Sequence, residues 1–462
     1  MPRFPVQLAI MLLLPLLLLY VLLQTSTVQK GILITDANNY FCHAERFDQG
    51  AVLYRDIHHA NMPGVSYVAW LYRTLTFRDL HAFNATAAVE AAVVTCLIFL
   101  IALRLHKRPE VALLIAFVYL FSTVVLSTSR FQNAIFTALL ATVSAYYLLL
   151  RGKPIFAGIA AGVAIAIKLY MAPVLGALLI ACWLEDRKTA LRFFGASVLT
   201  GFLILLPTLI LAPNEFLRQI LSSTLRDGPA ESRWNVIWYF LSTDWLIALL
   251  IFAGCFLWSR NRFLVLANIF GIVFFVIFRD VYLLYFNLLV PAAVLGLGYL
   301  MQMGTTVIGR KTTLAGVVTV LIVAVTGAIR AYSANLQTGI IPDEDSVRRV
   351  MRQYRPDAVF GSSALMQGIS SATGVPNFNN YCDLHPNLFA SGQLDREKIT
   401  EQVVSSRTMV VLTAAENLPR ITTYGTDFTD VALVMRRCRR VHQEPMRWHD
   451  RNVAVFYMCG ER

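Results

Sequence analysis

Charge is scarce in this chain. Of 462 residues only 15% are Asp, Glu, Lys or Arg, while 57% are hydrophobic and the mean hydropathy is +0.58. A soluble protein carries about 25% charged residues, so a soluble globular class is excluded. The chain has no GxxxxGK(S/T) motif, and no GxGxxG followed by an acidic residue. Those absences remove nucleotide hydrolysis and a dinucleotide site. No CxxC pair argues for zinc, and no internal repeat or low-complexity segment is present. The formal net charge of +12 is not a nucleic-acid signature. Most of the excess sits in short loops between apolar runs, where the positive-inside rule explains it.

What is present is a series of apolar runs of spanning length, the mark of a polytopic α-helical membrane protein. Val6–Val28 follows a short basic start and reads as an uncleaved first helix, because no convincing cleavage site follows it. Further spans are expected over residues 84–105, 110–127, 134–150, 193–211, 234–258, 263–278, 281–301 and 312–332. Residues 155–184 are too long for one helix. Lys168 and Pro173 lie near their middle, so they are expected to split at 170–173 into an outward and a return helix. That makes about eleven transmembrane helices. The basic loops at 104–108, 151–153, 187–192, 260–262 and 310–311 then share one side. Residues 29–83 and the C-terminus fall outside the cytoplasm. The expected division is a transmembrane module, 1–333, and an extracytoplasmic α/β domain, 334–462. Within the latter, 348–355 reads as helix and 358–361, 409–413 and 453–458 as strands. The basic run 435–440 reads as a solvated or headgroup-facing surface.

The densest polar patch of the first two thirds is residues 35–67. Asp36, His43, Glu45, Asp48, Arg55, Asp56, His58 and His59 fall within about two dozen positions. Residues 65–76 then form an aromatic run too short to span, suited to a helix in the interface. Ionisable groups pinned against a bilayer point to function. A carboxylate here can act as general base. Cations or a metal can hold a leaving phosphate. Lys168 shares the outer leaflet with Asp36 and is either a phosphate anchor or an interfacial snorkelling lysine. Arg130, Asn133 and Arg279 also lie at outer span ends. His43, His58 and Asp56 offer a possible divalent-cation site, although their spacing is not that of a compact zinc motif. Cys42, Cys382, Cys438 and Cys459 all fall outside and can form two disulfides, with three connectivities open. Pairing Cys438 with Cys459 would leave Cys42 for Cys382.

The order of an acidic residue after the first span, then Gly50, LYRD (Leu53 to Asp56), His58 and Pro63 resembles the first outer loop of the GT-C glycosyltransferases. These include the protein O-mannosyltransferases and the bacterial aminoarabinose and galacturonic acid transferases. Asp56-Ile57-His58 and Pro63 stand where the mannosyltransferases carry D-x-H and a proline. AGIAAGVAIAIKLYMAP, ending at Pro173, resembles their Gly-spaced helix that ends in Lys. The resemblance covers residues 1–215 and implies a GT-C fold and sugar transfer from a polyprenyl-phosphate donor. The acceptor would be a lipid A, an envelope glycan or a protein outside a bacterial inner membrane. It implies Asp36 as base and Lys168 on the donor phosphate. The residues themselves offer Asp56 beside the base and His58, Arg55 and Arg130 as further phosphate-side groups, although Arg130 also suits a single loop charge at a span end. His59, Asn133 and Arg279 would lie nearer the substrate. No cofactor is implied beyond an optional divalent cation. The chain departs from its relatives in having Asn61-Met62 where many place a Lys before the proline, and Asn133 where many place an Asp. A transporter of polyprenol-linked sugars would instead place polar groups at the bilayer midplane. A non-catalytic envelope-assembly protein is the other alternative.

Overall fold

The computed structural model describes residues 5–28, 31–224, 233–278, 281–307, 310–336, 339–384, 389, 394–415, 429–446 and 452–460. Arg279 lies outside the described residues. The chain opens with α1 (Val6–Val28), a two-residue strand β1 (Ile32–Leu33), α2 (Asp36–Asp48) and α3 (Gly64–Leu75). A helical bundle follows: α4 (Leu80–His106), α5 (Pro109–Leu120), α6 (Thr123–Thr128), α7 (Ile135–Leu150), α8 (Pro154–Ile167), α9 (Ala172–Glu185) and α10 (Arg187–Leu211). It continues through α11 (Pro213–Thr224), α12 (Arg233–Thr243), α13 (Trp245–Gly254), α14 (Arg262–Ile277), α15 (Val290–Val307) and α16 (Arg310–Asn335). Apolar composition makes these segments helical, and short polar loops set their ends. Asp79, Asp186 and Asn261 accept backbone N–H groups at the starts of α4, α10 and α14, which satisfies donors the helix itself cannot.

Among the described residues, five helices are long and apolar enough to cross a membrane by themselves: α1, α4, α10, α15 and α16. α12 and α13 qualify as one bent span, and α5, α7, α8, α9 and α14 are shorter apolar helices. The expected break in 155–184 falls at Lys168–Met171. Lys168 is extended, a 3-10 turn follows, and Pro173 sits in the first turn of α9, where a missing N–H does no harm.

Four expectations need correction. Residues 234–258 are two helices bent by 98°, not one rod. The bend lets the buried Asp244 accept the Val124 N–H at 3.1 Å. Residues 110–127 break after α5, and the Ser122 hydroxyl caps α6 through Val125 N–H. Residues 281–301 begin as a 3-10 turn that stacks Phe286 on Phe240 and Phe275, with centroids 4.0 and 4.2 Å apart. The polar stretch 35–67 is not wholly a loop, since α2 takes up thirteen of its residues.

After α16 the chain forms β2 (Ile340–Ile341), which pairs antiparallel with β1, Ile32 opposite Ile341. Then come α17 (Glu344–Tyr354), β3 (Ala358–Gly361), α18 (Ser363–Thr373), α19 (Arg396–Ser405), β4 (Thr408–Ala415), α20 (Val431–Arg437), β5 (Arg439–Met446) and β6 (Asn452–Met458). The sheet order is β3-β4-β6-β5, with β3 and β4 parallel and the other pairs antiparallel. The basic run 435–440 is surface as expected, with Met435, Arg436, Arg437, Arg439 and Arg440 exposed. β5 is an edge strand with a bulge after Arg440, and charge and bulges both protect such edges from pairing. Cys438 bonds Cys459, and Cys42 on α2 bonds Cys382, tying this C-terminal part to the first helices.

Candidate active site

α2 is a wall with two faces. At 3.6 residues per turn, Asp36, Tyr40, His43 and Phe47 share one side, while Cys42, Glu45, Arg46 and Gln49 share the other. Asp36 is the first residue of the helix, where the helix dipole favours a carboxylate. Asp48 at the far end accepts the Trp70 indole at 3.1 Å and the Arg73 guanidinium at 2.5 Å, and Arg78 lies 3.2 Å away. Burial pushes the Asp48 carboxyl up, but these donors and the two arginine charges outweigh it and hold its pKa below the ordinary value. This cluster fixes α2 against α3.

α8 delivers Lys168 to the same place. α3 starts so close to the end of α8 that a Cβ on Gly64 would lie 2.5 Å from the Ala166 carbonyl oxygen. Only glycine permits that approach. Lys168 is 5% exposed. Its ammonium lies 5.2 Å from the Tyr40 ring and 5.9 Å from the Tyr170 ring, within cation–π range. The Tyr170 ring rests 4.3 Å from Tyr285. The Asp36 charge acts on Lys168, Tyr40 and Tyr170 alike. The structure therefore brings Asp36 and Lys168 together, although 132 positions separate them in the numbering.

Two histidines line the floor beside them. His43 is fully buried, with Nδ1 3.0 Å from the Ser66 hydroxyl. Its ring meets His59 edge-on at 4.8 Å. Among the described residues, His43 Nε2 and His59 Nδ1 are buried with no hydrogen-bond partner. Burial pushes the His43 pKa down to about 3. Burial, then the charges of His43 and Lys168, holds His59 well below its ordinary value, with the Met62 carbonyl opposing. Both rings are neutral at pH 7. His58 is part-exposed and lowered by burial and by Arg218.

The other sequence-chosen residues sit elsewhere. Arg55 and Asp56 pair with each other at 2.9 Å, their side chains 53% and 34% exposed. Asp56 also accepts the Val52 N–H. The Arg55 hydrogen bond, then the Val52 amide, holds its carboxyl below the ordinary value. Arg130 and Asn133 are buried in the turn before α7, where the Asn133 side chain accepts the Ile135 N–H. Among the described residues, no three His, Cys, Asp or Glu side chains converge as a metal site. Sequence reasoning missed Tyr40, hidden among the charged residues of the polar stretch, and Tyr170 and Tyr285, because an aromatic in an apolar run carries no distinguishing signal. It also missed Glu90, a buried carboxylate that accepts Tyr72, Thr137 and Gln132 and locks α3, α4 and α7 together.

Behind α2 lies a cleft of about 390 Å³, the size of a small-molecule site. Glu45, Arg46, Arg73, Arg78, Glu344 and Arg348 line it. The cleft joins the back of α2 to α17 and α18.

A multi-pass helical bundle with a C-terminal part disulfide-bonded to α2 is the architecture of a polytopic membrane protein. Its fold is GT-C. Among solved structures, the chain is similar to ArnT from Cupriavidus metallidurans bound to undecaprenyl phosphate, at 15% identity and a TM-score of 0.65, covering 97% of both chains. The apo form of the same protein gives 15% identity and a TM-score of 0.66 with the same coverage. No protein-family model matches the chain. No curated protein matches it in sequence.

Proposed function

We propose that this protein is a glycosyltransferase that moves a sugar from a polyprenyl-phosphate carrier to an acceptor hydroxyl outside the cytoplasm. The observation that carries the reading is the exposed Asp36 carboxylate at the start of α2, within electrostatic reach of the buried, aromatic-walled Lys168 ammonium. In this reading the Asp36 carboxylate takes the proton of the acceptor hydroxyl. The acceptor oxygen bonds to the anomeric carbon from the face opposite the phosphate. The bond between that carbon and the phosphate oxygen breaks, and polyprenyl phosphate leaves with the electron pair. The Lys168 ammonium meets the charge on the departing phosphate, as a fixed cation in a dry site does best. Tyr40 and Tyr170 hold the ammonium in place without neutralising it.

The histidines enter as neutral groups. His58, with His59 behind it, offers a ring nitrogen to a phosphate oxygen, while Arg55, Asp56, Arg130 and Asn133 act at longer range. A divalent cation is not required, because Lys168 already supplies the positive charge. The solved ArnT complex holds undecaprenyl phosphate, and a carrier of that class is the donor proposed here. The cleft behind α2 suits the polar part of the acceptor, whether glycolipid, glycan or protein. The five basic loops expected on the cytoplasmic side support a reading in which the site lies outside the cytoplasm, at a bacterial inner membrane. The test is Asp36→Asn in purified, folded protein given a polyprenyl-phosphate sugar. Transfer is expected to fall at least about a hundredfold, the scale of a lost general base. Transfer at the wild-type rate would remove Asp36 from the mechanism.

A further inference from the structure

The turn that covers the site is strained. Tyr54, bulky and 1% exposed, sits at φ +68°, a region that such residues rarely enter. A conformation of that kind persists only where its surroundings over-determine it. Three contacts do so here. The Tyr54 N–H donates to the Ile57 carbonyl at 2.9 Å. Its hydroxyl donates to the Asn61 carbonyl at 2.5 Å. The Tyr54 carbonyl accepts the side-chain amide of Gln219 at 2.7 Å. Gln219 comes from α11, 165 positions away, and is 2% exposed.

Gln219 grips the turn at both ends. Its Nε2 donates to Tyr54, and its Oε1 accepts the His59 N–H at 2.9 Å. From Tyr54 a line of contacts runs to the site. The Tyr54 hydroxyl holds Asn61, the Asn61 amide donates to the Tyr40 hydroxyl at 3.3 Å, and the Tyr40 ring faces the Lys168 ammonium. From His59 a second line reaches His43. α11 itself shows Leu217 and Leu221 on its exposed side and buries Phe216 edge-on against Tyr54 at 5.1 Å.

We infer that Gln219 is a positioning residue: it holds the turn 54–61 at the height that sets Tyr40 and His59 against Lys168, and so sets affinity for the carrier phosphate. This rests on the donor reading above. A carboxamide suits the task because it offers one donor and one acceptor in a fixed plane, matching one carbonyl and one amide. No other neutral side chain of that length supplies both.

The test uses full-length protein in nanodiscs with undecaprenyl phosphate as the probe. Gln219→Met keeps the volume and apolarity of the buried site but makes neither bond. Gln219→Glu keeps an oxygen for the His59 N–H. The expected order of affinity is wild type, then Gln219→Glu, then Gln219→Met, the last weakened about tenfold. A packing role alone reverses the two variants, because Met packs well and a buried carboxylate does not. Gln219→Met binding within twofold of wild type, or better than Gln219→Glu, overturns the inference. Should Gln219→Met fail to fold, Tyr54→Phe cuts the same line at the Asn61 carbonyl while keeping the ring. It is expected to weaken binding several-fold, and unchanged binding again overturns the inference. Hydrogen exchange of peptides covering 53–62 separates this inference from the donor reading. If wild type does not bind the probe, the donor reading fails. Faster exchange in Gln219→Met still supports positioning by Gln219, and unchanged exchange refutes it.

Discussion

Removing the charge of Lys168 is the sharpest perturbation the site allows. Lys168→Met keeps most of the side chain's length and its apolar stem. It deletes one cation from a position that is 5% exposed. Two unit charges about 4 Å apart interact by about 4 kcal/mol at an effective dielectric constant of 20. Desolvating the ammonium adds little to the cost of binding, because the folded protein already buries it. Loss of the contacts with Tyr40 and Tyr170 on phosphate entry returns about 1 kcal/mol. The net loss is then about 3 kcal/mol, on the order of a hundredfold in donor affinity. The assay is undecaprenyl phosphate binding to nanodisc-held protein, run beside transfer kinetics. Lys168→Arg keeps the charge in a larger, planar form and is expected to retain more affinity than Lys168→Met. Binding by Lys168→Met within twofold of wild type would refute the assignment of Lys168 to the phosphate and leave it a snorkelling lysine.

Two further outcomes follow from burial and from the disulfides. His43 titrates at about 3 in the folded chain against about 6.5 when unfolded. The unfolded chain therefore binds more protons between those values. The stabilisation is complete above about pH 6.5 and is lost as pH falls toward 3, by up to about 1.4 kcal/mol per pH unit. Thermal unfolding in detergent at pH 7.5, 5.5 and 4.5 should show a shallower decline in His43→Asn than in wild type, and parallel declines would count against this account. Replacing Cys42 and Cys382 by Ser opens a link across 340 positions, where chain entropy gives up to about 6 kcal/mol and measured losses run about 2–5 kcal/mol. Because Cys42 lies on α2, transfer should fall more in this double variant than in the Cys438 and Cys459 pair, whose link spans 21 positions. Equal effects on transfer would show that the C-terminal part does not steady α2.

Most of the bundle was legible because a span is written in composition: a run of apolar residues has one stable form in lipid, and polar residues mark its ends. Lys168 stood out for the same reason in reverse. The polar stretch was harder. Asp36, Tyr40, His43 and Phe47 recur at helical spacing, but the density of charged neighbours on the opposite face masks an apolar stripe, and α2 reads as loop. Asp244 gave no hint of a 98° bend, since its partner, the Val124 amide, lies 120 positions away. β5 carries charges, a bulge and Pro445, all of which erase strand alternation. Gln219 could not have been found from the sequence, because one glutamine in an amphipathic helix looks like any surface glutamine. The site itself was half legible. Its two charged members were visible, and the tyrosines and the strained turn that arrange them depend on contacts between distant segments.

The Cys42–Cys382 bond also sets a schedule. A ribosome adds about 5–20 residues per second, so the 340 positions between the two cysteines take roughly 17–70 s to synthesise. For that interval α2 has its carboxylate but not its brace, and β1 waits for β2. Every membrane-crossing segment is already made before Cys382 emerges. A chain that stops after α16 is thus inserted but unfinished. The brace on α2 is closed only once Cys382 has been made, so an early helix waits for a late segment to reach back to it.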